Sequence, residues 1–109
     1  MVEVTVYSRK GRTVGFSLKG HANRGEYGSD IVCAAISAVS QTAILGITDV
    51  LKSQAGIICE SGKCSCILKE SVSEEESEKA AIIFDTMVCG LESIRQSDPK
   101  ALKFSHRED

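Results

Sequence analysis

Apolar and polar residues alternate from the start of the chain. Val2, Val4 and Val6 are separated by Glu3 and Thr5, and after Lys10 and Gly11 the alternation resumes with Val14, Phe16 and Leu18. A period of two marks a strand with one buried face, so the chain opens with a hairpin. From His21 to Ser29 the pattern stops, in a segment that holds Gly25 and Gly28 and follows Gly20. It reads as a loop with glycine hinges, able to close over a substrate. A long helix is predicted next, over about residues 31–52, with Asp30 as its N-cap. Ile31, Val32, Ile36, Val39, Ile44, Leu45, Ile47, Val50 and Leu51, with alanines between, occupy more than one side of it. Such a helix is buried on both flanks, by its own sheet and by another helix or a second subunit.

Gly56 closes the connection, and residues 57–60 and 63–69 flank Ser61-Gly62 as a second hairpin. Ser73 followed by Glu76 is a capping box, after which Ala80, Ile83, Phe84, Met87, Leu91 and Ile94 recur at helical spacing. Pro99 follows this helix, and residues 101–104 form a short edge strand before a polar tail. The order ββαββα predicts an α+β fold: a two-layer sandwich of a mainly antiparallel sheet with both helices packed on one face.

Composition narrows the function classes. A chain of 109 residues makes one domain, and three Phe, two Tyr and no Trp leave the core to Val, Ile, Leu and Ala. The net charge of -2 gives no basic excess for tracking phosphates, despite Arg9, Lys10 and Arg12, so nucleic acid is not the expected partner. No stretch approaches the roughly 20 apolar residues of a membrane span, and the N-terminus lacks the basic and apolar regions of a signal peptide. A cytoplasmic protein is expected, with no membrane partner. The odd cysteine number (Cys33, Cys59, Cys64, Cys66 and Cys89) then indicates free thiols.

The segment from Gly20 to Cys33 carries the chemistry. With Asp30 as N-cap, Cys33 is the third residue of the helix, where free amides and the positive dipole end favour a thiolate. His21, brought opposite by the loop, completes the minimum apparatus for nucleophilic acyl transfer. Against this stands the plainer reading of Cys33 as a small buried hydrophobe and His21 as a solvated polar residue. Cys59, Cys64 and Cys66 cluster about the Ser61-Gly62 turn, with Cys59 opposite Cys64; three thiols suggest a metal, but a fourth ligand at paired spacing is missing, and no metal or other cofactor is expected.

Gly20-His21-Ala22, and then the run Gly28, Ser29, Asp30, Ile31, Val32, Cys33, Ala34, Ala35, Ile36, Ser37, resemble the signature of the ribosomal-processing cysteine protease family, Prp. The likeness extends over nearly the whole chain. It implies a homodimeric cytoplasmic protease that removes the N-terminal extension of bacterial large-subunit ribosomal protein twenty-seven. Cys33 matches the family nucleophile and His21 its general base. Asp30 matches an acidic residue ahead of the cysteine, either as a third catalytic member or as a cap only. Ser37, one turn beyond Cys33 on the same face, is a supporting candidate for contact with the substrate, although a buried serine bonding back to its own helix is the favoured reading. The substrate loop comprises Gly20, Ala22, Asn23, Arg24, Gly25, Glu26, Tyr27, Gly28 and Ser29. Two other functions compete: a dimeric, non-enzymatic peptide- or ribosome-binding adaptor, and a thiol redox sensor, which needs a resolving cysteine close to Cys33, whereas none is near it in sequence.

Overall fold

The computed structural model describes residues 1–20 and 27–109, the side chains of residues 27–30 excepted. β1 (Val2–Arg9) and β2 (Arg12–Lys19) form the expected hairpin, pairing Val4 with Leu18 and Val6 with Phe16. Lys10 and Gly11 both take positive φ, 52° and 78°, the turn geometry whose twist matches that of the flanking strands. Every alternating apolar residue read from the sequence, Val2 to Leu18, is buried.

The second hairpin, β3 (Ala55–Glu60) and β4 (Lys63–Leu68), joins the sheet through β4, which runs antiparallel to β2. β5 (Leu102–Glu108) lies parallel to β1, completing the order β3-β4-β2-β1-β5. α1 (Tyr27–Leu45) runs on into a π-helical turn, Gly46–Val50, and α2 is Glu74–Ser97. α2 packs on β2 and α1 packs on α2. Phe84 of α2 meets Phe16 of β2 edge to face, with ring centroids 6.1 Å apart. One continuous core joins the buried sheet face to Ile36, Ala43 and Ile47 of the first helix and to Ala80, Phe84, Met87 and Leu91 of α2. Ser73 caps α2, its Oγ accepting from the Glu76 amide at 3.1 Å. The Glu76 carboxylate turns to Ser53, whose Oγ donates to it at 2.6 Å and fastens the connection after the first helix. The basic run near the first turn is paired: Arg9 with Asp109 at 2.6 Å and Arg12 with Glu74 at 2.8 Å.

The α+β class holds, and four details differ from the sequence reading. The sheet is mainly antiparallel, as expected, with the pair β1–β5 parallel, and the order becomes ββαββαβ because the edge strand after α2 is a full strand, running through His106 to Glu108 over the expected polar tail. An edge strand bonded through its backbone needs no apolar alternation, so that pattern could not reveal its length. Gly56 lies within β3 and does not end the connection; the break falls at Lys52, where φ turns positive, 56°. α1 begins at Tyr27, so Tyr27, Gly28 and Ser29 belong to the helix and not to a loop. Glycine and serine are poor helix formers in isolation, but tertiary packing of the remaining turns overrides that preference. Finally, Ile31–Val50, at a mean hydropathy of 1.8, is long and apolar enough to cross a membrane. The expectation that no stretch approaches such a span therefore fails on length and composition; Ser37, Ser40, Gln41 and Thr42 are interspersed in the helix, and Ile36, Ser40, Ala43 and Ile47 form a buried stripe.

Candidate active site

Between the N-terminal half of α1, the end of β2 and the turn of the second hairpin lies an open cleft of about 370 Å³, lined by Gly20, Cys33, Ser37, Gln41, Cys59 and Cys64 among others. Gly20 sets its rim. The Gly20 amide donates to the Gly62 carbonyl at 2.9 Å, which pins the end of β2 to the hairpin turn. Gly20 has φ of 101°, and a Cβ there would fall 2.7 Å from the Met1 carbonyl oxygen, so position 20 demands glycine.

Cys33 is half-buried and opens into this cleft. Ser37 lines the cleft one turn further on. Ser40, further along the helix, bonds back to it: its Oγ donates to the carbonyl of Ile36 at 2.9 Å and contacts that of Ser37 at 3.2 Å. His21, Ala22, Asn23, Arg24, Gly25 and Glu26 lie outside the described residues; His21 directly follows the rim glycine in the chain.

The position of Asp30 corrects one expectation. It lies in α1, three residues after the helix begins, and is not the N-cap. Cys33 is thereby the seventh helical residue and not the third. Its amide belongs to the internal ladder, committed to the carbonyl four residues earlier, and dipole stabilisation falls off beyond the first turn. The free amides and dipole end expected from the sequence therefore do not reach Cys33, and activation of its thiol falls to other groups.

The remaining cysteines separate by environment. Cys66 is fully buried in the core, where burial pushes its thiol up to about 11. Cys59 and Cys64 pair across the second hairpin, as strand alternation indicated, with their sulfurs 3.7 Å apart. Burial, the hydrogen bond to Cys59 and repulsion from the charged forms of Cys59 and Cys66 together push the Cys64 thiol to about 12. Sequence reasoning did not place this pair in the cleft with Cys33, because that depends on docking of the hairpin against β2. Among the described residues no group of three or more His, Cys, Asp and Glu side chains could hold a metal ion. A larger hollow, about 520 Å³, lies at the opposite end of the sheet. It is lined by the paired charges of Arg9, Arg12, Glu74 and Asp109, and no cysteine is among its lining residues.

A half-buried thiol on the wall of an open cleft, on a helix braced by α2, is the setting that a cysteine-dependent hydrolase needs for its nucleophile. The model of the family described as "Cysteine protease Prp" matches residues 1–103. This chain belongs to that family and is a cysteine protease. It is similar to the ribosomal processing cysteine protease Prp of Staphylococcus aureus (strain Mu50), 31% identical with 97% of both chains covered. Its counterpart in Bacillus subtilis (strain 168) is 29% identical with 88% of both covered. A crystal structure of S. aureus Prp with a covalently linked product peptide superposes with a TM-score of 0.81 at 25% identity, covering 98% of this chain and 100% of that one.

Proposed function

We propose that this chain is a single-domain endopeptidase, residues 1–109, that removes the N-terminal extension of large-subunit ribosomal protein twenty-seven in the bacterial cytoplasm. The observation that carries the reading is the shared cleft: Cys33 and Gly20 line it together, and His21 is the next residue in the chain. Its relatives are ribosomal processing proteases by name, and one of them holds a covalently linked product peptide, as expected of nucleophilic catalysis.

In this mechanism His21 takes the proton of the Cys33 thiol and the sulfur attacks the scissile carbonyl. His21 then gives the proton to the departing amine, leaving a thioester on Cys33. Water, deprotonated by the same imidazole, hydrolyses the thioester and restores the thiol. Because the Cys33 amide is held within α1, the oxyanion draws on other donors, and Ser37, a lining residue of the cleft, is the supporting candidate for contact with the substrate. Asp30 is a supporting residue within α1, ahead of the nucleophile. Incubated with the extended ribosomal protein, the enzyme should yield one shortened product by intact mass, cut at a single bond. An unchanged mass after prolonged incubation would overturn the substrate assignment.

The working unit is a homodimer. The flank of α1 and α2 away from the sheet exposes Ile31 (57%), Leu45 (54%), Val50 (81%) and Ile82 (68%). An apolar groove of about 500 Å³ runs between the helices, lined by Val39, Ala43, Ile82, Ile83 and Met87 among others. Water-exposed apolar surface of this extent in a small chain is covered by association. Sedimentation at micromolar concentration should give twice the 11.7 kDa chain mass; a monomer would refute it.

A further inference from the structure

Cys59 and Cys64 face each other one strand pair in from the Ser61-Gly62 turn, sulfur to sulfur at 3.7 Å. A disulfide brings sulfurs to about 2.05 Å and Cβ atoms to about 3.5–4.5 Å, while directly opposed side chains of an antiparallel pair begin with Cβ atoms about 4.5–5.5 Å apart. Closure therefore needs a side-chain rotation and a strand shift of about an ångström. β3 can supply that shift, being the outermost strand, paired on one side only, and exposed throughout after Ala55. Cys66, on the same strand as Cys64, sits opposite Ile57 and is sealed in the core.

We propose that Cys59 and Cys64 are a reversible dithiol, closed to a disulfide by hydrogen peroxide in the wall of the cleft that holds Cys33. Cys59 is the exposed member and meets the oxidant first. Its thiolate attacks one peroxide oxygen, the O–O bond breaks, and the other oxygen leaves with protons as water, so that Cys59 becomes a sulfenic acid. The Cys64 sulfur then attacks Cys59, the S–O bond breaks, and the hydroxyl departs with the Cys64 proton as a second water. The two thiols lose two electrons and one peroxide is reduced to two waters. Cys64, whose thiol is held up to about 12, keeps its proton until that second step and suits the resolving role. A disulfide with its Cys59 sulfur exposed on an edge strand is open to thiol reductants. The inference is independent of which substrate the protease cuts.

The test treats the folded, full-length protein with hydrogen peroxide, blocks remaining thiols with N-ethylmaleimide, and maps the products after denaturation. Trypsin cuts after Lys63 and separates Cys59 from Cys64, so the disulfide appears as two cross-linked peptides. The expected result is a species about 2 Da lighter before blocking, with the 59–64 cross-link, which dithiothreitol returns to the full thiol count. The Cys64→Ser variant should halt at a Cys59 sulfenic acid trapped by dimedone, whereas Cys59→Ser should form no cross-link. The proposal is overturned if Cys59 and Cys64 both stay open to the maleimide while exposed Cys89 is oxidised. A bridge from Cys33 to either thiol in place of the 59–64 link overturns it equally.

Discussion

Cys33→Ala is expected to lower processing of the extended ribosomal protein by about four orders of magnitude or more, the loss typical when a catalytic nucleophile is removed. The folded protein should persist. Cys33 is half-buried at the cleft wall and contributes no large side chain to the core, so truncation to alanine should cost about 1 kcal/mol or less. The two readouts separate chemistry from folding: a thermal melt close to that of the parent, with no product by intact mass, identifies the sulfur as the reacting atom. Processing at the parental rate would show that another residue is the nucleophile. Since Cys33 lies beyond the first turn of α1, the helix terminus offers its sulfur little help. His21→Ala should consequently be nearly as inactive as Cys33→Ala, without the residual rate that a thiolate held by the helix end would sustain.

Phe84→Ala should have the largest effect on stability. Phe84 is fully buried, reaches from α2 to the sheet and stands edge to face with Phe16 at 6.1 Å. Phe→Ala substitutions at such sites cost about 3–5 kcal/mol through lost transfer energy and the cavity left behind. At about 4–8 °C per kcal/mol for a small domain, the melting temperature should fall by more than about 10 °C. Activity should fall with it, because α1, which carries Cys33, rests on α2. Ile82→Ala, on the exposed flank of α2, makes the contrast. It leaves no internal cavity, and its effect should emerge as weaker dimerisation on dilution. If the two substitutions lowered the melt equally at high concentration, Phe84 would not be the link between layers described above.

Local pattern determined much of this protein. The alternation of Val2, Val4 and Val6 with Val14, Phe16 and Leu18 specified the first hairpin and its buried face, because a strand must turn every second side chain inward. Ser73 and Glu76 marked the start of α2, since a serine oxygen satisfies an amide that the helix itself leaves unpaired. The stretch from Gly20 to Cys33 likewise carried the family likeness, and the family match spans residues 1–103. Tertiary structure decided what local pattern cannot encode. β5 took its place beside β1 through backbone bonds that any side chains would permit, so its polar half was invisible to periodicity. The start of α1 at Tyr27 followed from packing of the later turns over the weak propensities of Gly28 and Ser29, and this removed Asp30 from the cap and Cys33 from the helix terminus. Only docking of β4 against β2 brought Cys59 and Cys64, far along the chain, to the same cleft as Cys33. Propensity and periodicity act between residues near in sequence, whereas a cleft is made where distant elements meet.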